Sequence, residues 1–116
     1  METGIISWGA YLPRLRLERK AAAEANSWVN GALASRSSGT RSFCNWDEDS
    51  LTMGVEATRA CFERSAERPS RLVFATTTAP FADRPSSGLA ALALQLPVSV
   101  KGLDHGGSQR AASNAS

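Results

Sequence analysis

The fold is decided by the stretch RLVFATTT at residues 71–78, in which four apolar residues follow one another. A short continuous apolar run of this kind is typical of a strand buried on both faces of a parallel sheet. A helix is predicted next at residues 86–94, starting at Ser86 or Ser87, and a further strand at residues 98–103. Strands separated by helices indicate an α/β fold with a mainly parallel sheet and helices on its faces.

Weaker patterns precede this stretch. They predict a strand at residues 4–11, an exposed extended segment at 14–20, a helix at 20–33 that ends near Gly31, and a Ser-rich loop at 34–45. At the other end, residues 106–116 (GGSQRAASNAS) follow a predicted strand and begin like a helix. A strand-to-helix elbow often carries a functional residue, such as a catalytic nucleophile. We expect residues 1–116 to form one incomplete domain.

The clearest predicted helix starts at the acidic run DEDS, which ends at Ser50. Its carboxylates complement the positive end of the helix dipole, and Asp49 or Ser50 is expected to cap the free backbone amides, which we favour over a metal cluster. A buried stripe follows at helical spacing: Leu51, Val55, Thr58 and Phe62. We expect an outward ion pair between Arg59 and Glu63, and an end to the helix before Pro69.

Composition narrows the functional classes. The net charge of +2 gives no support for binding nucleic acid. No apolar run approaches the roughly 18 residues that cross a bilayer, and residues 1–4 do not resemble a signal peptide, so we expect no membrane association and a cytoplasmic location. His105 is the only histidine, which predicts no metal site. Cys44 and Cys61 are expected to be free thiols, in a loop and in a helix respectively.

Four segments resemble the thiolase-superfamily condensing enzymes, in the branch of ketoacyl synthase III and hydroxymethylglutaryl-CoA synthase. Residues 4–13 (GIISWGAYLP) resemble the start of these enzymes. Residues 45–53 (NWDEDSLTM) are similar to the D-E-D-S-x-T-M helix start of the bacterial and archaeal synthase-like proteins, and residues 74–84 (FATTTAPFADR) to their second strand and loop. Residues 107–111 (GSQRA) resemble their active-site turn. The family subunit is much longer, so the resemblance implies the N-terminal portion of a thiolase-like domain, with its second half absent.

The resemblance implies a particular chemistry. In the family, a Cys at the start of a buried helix attacks an acyl thioester, and the helix dipole favours its thiolate. A Glu after the second strand handles protons, and a His and an Asn come from the second half. The Cys position corresponds here to Gln109 and the Glu position to Thr77, while the His and Asn lie beyond Ser116 and a family Gly is Ala112. These correspondences imply an acyl-CoA substrate, no cofactor, no metal and no catalytic residue in this chain.

Alternatives stay open at several positions. Ser108, three residues after His105, is an alternative nucleophile, although a turn or cap role is favoured because no third triad member is supplied. Gln109 either takes part in decarboxylation or in a partner role, as in related subunits, or is tolerated at a degenerate site. Trp28 and Arg41 are candidates to contact the adenine and phosphates of CoA, with Trp28 as a helix-packing residue the favoured alternative.

Two functions follow from the resemblance. The first is an acyl-CoA-handling condensing enzyme similar to hydroxymethylglutaryl-CoA synthase, of which this chain is a portion not active alone. The second is a non-catalytic thiolase-like subunit that binds an acyl-CoA or a partner, either a thiolase or an OB-fold protein. In both cases we expect a homo-oligomer or aggregation, because the apolar faces of the strands at residues 73–74 and 98–100 would be exposed.

Overall fold

The computed structural model describes residues 2–115. Its elements are, in chain order, β1 (Leu15–Glu18), α1 (Arg19–Ala25), a 3₁₀ helix (Gly31–Arg36), β2 (Thr40–Phe43), α2 (Ser50–Glu63), β3 (Arg71–Ala75), α3 (Ser86–Ala93), β4 (Lys101–His105) and α4 (Ala111–Asn114). These elements divide into two compact units. The first unit contains residues 2–11 and 49–115, and the second unit contains residues 12–48.

The first unit contains the parallel pair that the sequence predicts. β3 and β4 run parallel, with Arg71 opposite Lys101 and Ala75 opposite His105. α3 lies between them in the chain, as a parallel connection requires. The predicted α/β fold with a parallel pair is therefore confirmed.

The core of the first unit lies where α2 and α3 meet the sheet. Leu51, Val55 and Ala90 are buried together, and half-buried apolar side chains surround them: Leu72, Phe74, Leu89 and Leu94. Burying one side chain of the size of Leu51 or Val55 contributes about 1.5–3 kcal/mol. The predicted stripe is confirmed at these two positions, while Thr58 and Phe62 are half-buried.

The start of α2 confirms the predicted cap. The Asp49 carboxylate accepts the backbone N–H of Thr52 at 2.8 Å, and the Thr52 hydroxyl accepts the N–H of Asp49 at 2.9 Å. This reciprocal arrangement is a capping box. The predicted pair of Arg59 with Glu63 is wrong, because Arg59 instead pairs with Glu56.

The N-terminal segment was predicted to be a strand, and this prediction is wrong: residues 4–11 form no strand. Ile5 is 88% exposed, so an apolar run alone did not bring the segment into a sheet. The segment is instead held against α2, where the Ser7 hydroxyl donates to the carbonyl oxygen of Cys61 at 3.0 Å. A methyl group at Gly9 would lie 2.2 Å from the carbonyl oxygen of Ala57, so only glycine fits this close approach.

The last strand lies further along the chain than predicted. β4 begins at Lys101, because the chain before it is in a turn in which the Val100 N–H donates to the carbonyl oxygen of Pro97. Val98 lies in this turn and is fully exposed. The turn follows the end of α3, where the Gln95 N–H donates to Leu92 at 3.0 Å and the Leu96 N–H donates to Ala91 at 2.9 Å. This bond pair is a Schellman motif, and it places Gln95 in the left-handed region at φ 54°.

The second unit contains an antiparallel pair that the sequence did not predict in full. β1 confirms the predicted extended segment, and it pairs with β2 so that Leu15 lies opposite Phe43 and Glu18 opposite Thr40. The prediction of a loop over residues 34–45 is wrong, since this range holds β2 and the end of the 3₁₀ helix. Pairing with β1 outweighed the local preference of a Ser-rich segment for a loop.

The predicted helix at residues 20–33 is also too long. α1 ends at Ala25, because the Asn26 side-chain amide donates to the carbonyl oxygen of Ala22 at 2.8 Å and the Ser27 hydroxyl donates to that of Glu24 at 2.9 Å. Side chains of this kind take up the carbonyl groups of the last turn and end the helix. None of the helices described over residues 2–115 is long and apolar enough to span a membrane.

Candidate active-site elbow and a cavity lined by arginines

The carboxyl ends of β3 and β4 meet at one edge of the first unit. The parallel register continues past the strands, because the Thr76 N–H donates to the carbonyl oxygen of His105 at 3.0 Å. A methyl group at Gly106 would lie 3.5 Å from the carbonyl oxygen of Thr76. The segments that follow the two strands therefore leave the sheet side by side, and these segments carry Thr77 and Gln109.

The segment after β3 is held in place by hydroxyl groups. The Thr78 N–H donates to the Thr76 hydroxyl at 3.1 Å, and the Ser50 hydroxyl donates to the carbonyl oxygen of Thr78 at 2.8 Å. The second bond ties the segment to the first residue of α2. Thr77, between these two anchored residues, has an exposed side chain.

The segment after β4 forms the predicted elbow. Gly107 adopts φ 73°, a left-handed conformation that favours glycine, and α4 begins four residues later at Ala111. The Ser108 hydroxyl accepts the N–H of Arg110 at 3.1 Å, and the Ser108 carbonyl accepts the N–H of Ala111 at 3.0 Å. These bonds are those of a turn serine, the role favoured by the sequence. Ser116, at the end of the predicted elbow stretch, lies outside the described residues.

The elbow presents the carboxamide of Gln109. Gln109 is exposed and lies just before α4, between the turn residue Ser108 and the buried Ala111. Neither a carboxamide nor the hydroxyl of Thr77 ionises near neutral pH. Hydrogen bonding is therefore the chemistry available to these two side chains at this edge.

Of the two residues predicted to contact CoA, one lines a cavity and the other does not. Arg41 lines a cavity of about 420 Å³ in the second unit. Trp28 does not line this cavity; it follows the end of α1 in a turn and is 85% exposed. The alternative role of Trp28 in helix packing is wrong, because α1 ends at Ala25.

In the described part of the chain the cysteines form no disulfide and the acidic side chains form no metal cluster. Neither Cys44 nor Cys61 is in a disulfide, as predicted; Cys44 is exposed and Cys61 is half-buried within α2. No cluster of three or more His, Cys, Asp or Glu side chains within residues 2–115 is arranged to hold a metal ion.

The sequence is similar to curated synthases. It is 38% identical over 110 residues to a hydroxymethylglutaryl-CoA synthase of Caldivirga maquilingensis, a match that covers 90% of this chain and 31% of that protein. It is 33% identical over 101 residues to the hydroxymethylglutaryl-CoA synthase of Aeropyrum pernix, covering 84% of this chain and 28% of that protein. The chain thus spans about a third or less of the length of these relatives. No family model matches it.

The fold is similar to solved ketosynthase structures. A variant of OleA from Xanthomonas campestris superposes with a TM-score of 0.74 at 12% identity, over 86% of this chain and 32% of that one. A β-ketoacyl-[acyl carrier protein] synthase III from Thermus thermophilus gives a TM-score of 0.70 at 20% identity, over 90% and 33%. The chain is a homologue of hydroxymethylglutaryl-CoA synthases with a thiolase-like fold. This places it among relatives of the condensing acyltransferases, as the resemblance implied.

Asp104 is a residue of this thiolase-like fold whose role the sequence did not reveal. Its carboxylate, on β4, accepts the backbone N–H of Ser86 at 2.6 Å and that of Ser87 at 2.8 Å, and so caps α3 from outside the helix. Burial alone would raise the pKa of Asp104, but hydrogen bonds from the Ser87 hydroxyl and from the Ser87 and Ser86 N–H groups outweigh it and hold the pKa below its ordinary value. No local signal reveals this contact, because the partners lie 17 and 18 residues apart in sequence.

Proposed function

We propose that this chain is part of an acyl-CoA-handling, thiolase-like condensing enzyme and that it does not condense acyl groups by itself. The observation that carries the proposal is the elbow after β4, where Gln109 precedes α4. A carboxamide is not a nucleophile towards a thioester, so an acyl-enzyme has no attachment point at this position. Thr77 offers no carboxylate to move a proton.

Residues 1–116 are, on this proposal, the N-terminal portion of a thiolase-like domain. The lengths of the relatives support this division, since the matched region makes up 31% of the Caldivirga synthase. Groups needed for condensation would then be supplied by chain outside these residues. Acyl-CoA is the expected substrate, with Arg41 as the retained candidate for its phosphates and Trp28 as the candidate for its adenine. A cytoplasmic location and a homo-oligomeric state belong to the same proposal.

The first experiment asks whether the chain forms an acyl-enzyme. The purified protein is incubated with acetyl-CoA and its intact mass is measured, followed by peptide mapping. We expect no acetyl adduct in the elbow. The variant Cys44→Ser is the control for direct acetylation of the exposed thiol. A stable adduct on Ser108 or Gln109 would contradict the proposal.

A second function is favoured by the replacement of both the family Cys, by Gln109, and the family Glu, by Thr77. Gln109 and Thr77 keep hydrogen-bonding capacity while neither ionises, which suits a non-catalytic subunit that holds an acyl-CoA or a partner. The partner would be a thiolase or an OB-fold protein. Reading the DNA beyond the last codon separates the two functions. An open frame with a His and an Asn of the family pattern supports the enzyme, and co-purification of a thiolase or an OB-fold protein with the tagged chain supports the subunit.

A further inference from the structure

A cavity of about 490 Å³ lies between α2 and α3 in the first unit. Its lining is mainly apolar and includes Leu51 and Val55 of α2 and Leu89 of α3. Leu51 and Val55 are buried, at 9% and 7% exposure, so they form the floor of the cavity. Such a floor suits the hydrocarbon part of a small ligand, because covering it removes apolar surface from water.

The cavity is bounded at both ends. At one end the Arg59 side chain crosses from α2 to α3, where its guanidinium donates to the carbonyl oxygen of Ala93 at 3.3 Å, and both residues line the cavity. At the other end lies the loop before α3, from which Phe81 lines the cavity. Leu51 and Arg59 are eight positions apart on α2, which makes the space between the ends about 12 Å long. A partner helix needs a groove that is open at its ends, so a short ligand fits this shape better.

Four charged side chains also line the cavity, and three of them are already engaged by partners. The Asp49 carboxylate belongs to the capping box of α2, and Glu56 pairs with Arg59. The fourth is Arg84, whose contact with Asp83 spans 3.6 Å between side chains that are 55% and 75% exposed. An exposed pair of this kind is weak, and Asp83 does not line the cavity. Arg84 is therefore the charge that a ligand can recruit.

Arg84 is held at the rim of the cavity by an aromatic ring. Its guanidinium lies over the ring of Phe81, 5.6 Å from the centroid, and both residues line the cavity. This contact places a positive charge beside the apolar lining. A guanidinium binds a carboxylate through two parallel N–H···O bonds, which a single Lys cannot do. The cavity thus offers an apolar floor and one available cation, the two features that an amphipathic anion requires.

We propose that this cavity binds a small amphipathic carboxylate, with its hydrocarbon body on Leu51, Val55 and Leu89 and its carboxylate on Arg84. A medium-chain alkanoate is the simplest ligand of this class. The inference goes beyond the proposed function and does not rest on it, because neither Gln109 nor Thr77 lines the cavity.

Calorimetric titration with octanoate, 1-octanol and acetate separates the two parts of the ligand. Octanoate carries both the hydrocarbon body and the charge, 1-octanol keeps the body alone, and acetate keeps the charge alone. We expect octanoate to bind more tightly than 1-octanol, and acetate not to bind. The backbone amide chemical shifts then locate the bound octanoate, with changes expected at residues 49–59 and 81–93.

The variant Arg84→Gln tests the carboxylate contact. Arg68→Gln is the matched control, because Arg68 also lies over a phenylalanine ring, that of Phe62 at 4.5 Å, but does not line this cavity. Losing one charge-assisted bond weakens binding by about tenfold or more, and this loss is expected for octanoate in Arg84→Gln alone. The affinity for 1-octanol should be the same in the parent protein and in both variants.

The variant Ala93→Leu tests the apolar part of the site, because the larger side chain fills the space between α2 and α3. Ala66→Leu is its control, since both alanines are exposed but only Ala93 lines the cavity. We expect Ala93→Leu to weaken the binding of octanoate and of 1-octanol, and Ala66→Leu to change neither.

Binding of octanoate that is weakened by Arg84→Gln and by Ala93→Leu, and kept in both controls, supports the site. Three results would overturn it: no binding of octanoate, an equal effect of a cavity variant and its control, or chemical-shift changes centred outside residues 49–59 and 81–93. Circular dichroism of each variant shows whether the fold is kept. An acetyl adduct on the elbow would refute the proposed function and leave octanoate binding unaffected, so the two failures are distinguishable.

Discussion

The replacement Asp104→Asn tests how far one carboxylate holds the first unit together. Asp104 accepts two backbone N–H groups at the start of α3, at 2.6 and 2.8 Å. An asparagine keeps one acceptor oxygen and turns its NH₂ group towards the other N–H, so one donor at the helix start loses its partner. Ser86 and Ser87 are both buried, and water does not readily replace the missing acceptor.

The expected cost follows from these two contacts. Losing a helix cap typically costs about 0.5–2 kcal/mol, and removing a negative charge from the positive end of a helix costs about 0.3–1 kcal/mol. We expect Asp104→Asn to lower the free energy of unfolding by about 1.5 kcal/mol at neutral pH. The control is Asp83→Asn, since the Asp83 side chain is 75% exposed and its pair with Arg84 contributes about 0–1 kcal/mol.

The pH dependence of the free energy of unfolding is a second, independent test of the role of Asp104. The folded-state pKa of Asp104 is lowered, so its contribution to stability is complete above the unfolded-state pKa of an Asp, about 3.9, and is lost as the pH falls through the folded-state pKa. The difference between the parent protein and Asp104→Asn should therefore be constant from neutral pH down to about pH 5 and shrink below pH 4.

Urea unfolding followed by circular dichroism measures both effects. The midpoint and slope are compared for the parent, Asp104→Asn and Asp83→Asn at neutral pH and at several acidic values. The reasoning is refuted if Asp104→Asn unfolds at the same urea concentration as Asp83→Asn, or if its deficit persists unchanged at the lowest pH.

Three further replacements have expected outcomes in the same unfolding assay. Gln95→Gly should raise the free energy of unfolding by about 1 kcal/mol, because glycine adopts φ 54° without the strain of a side chain, and a lowered midpoint would contradict this. Gly9→Ala should destabilise by about 1–3 kcal/mol, since its methyl group would lie 2.2 Å from a carbonyl oxygen of α2, whereas Gly4→Ala has open space and should be neutral; equal effects would argue against the close approach. Leu51→Ala, in the core, should cost about 2–5 kcal/mol, and Leu92→Ala, 76% exposed, should cost little, so similar losses would place the core elsewhere.

The sequence predicted best those elements that carry their own local signals. α2 has a capping box and an apolar stripe, and α3 and β3 are bounded by prolines and a continuous apolar run, so their positions were found within a few residues. β2 has no such signal; its partner β1 lies more than twenty residues earlier in the chain, and pairing decides its conformation. Residues 4–11 show the opposite case, since an apolar run without a paired neighbour did not produce a strand.

The candidate site, too, was predictable only where it carries local sequence signals. The elbow and its position after a parallel strand were predictable, because Gly106 and Gly107 mark the turn and the helix follows. The cavity that Arg41 lines was only partly predictable. Arg41 was found through the family resemblance, while Arg19 and Arg36 lie on other elements and line the same cavity only through the fold of the second unit.

The parallel pairing of β3 with β4 has a consequence for the order of folding. The two strands cannot pair until the chain between them has closed a long loop that includes α3, and closing such a loop is slow compared with forming a helix. α2 is able to form first, because its capping box and its apolar stripe involve only residues close together in the sequence. Leu51 and Val55 on this helix then provide an apolar surface on which the strands can pack. β4 would then join last, and destabilising replacements in it should speed unfolding far more than they slow folding.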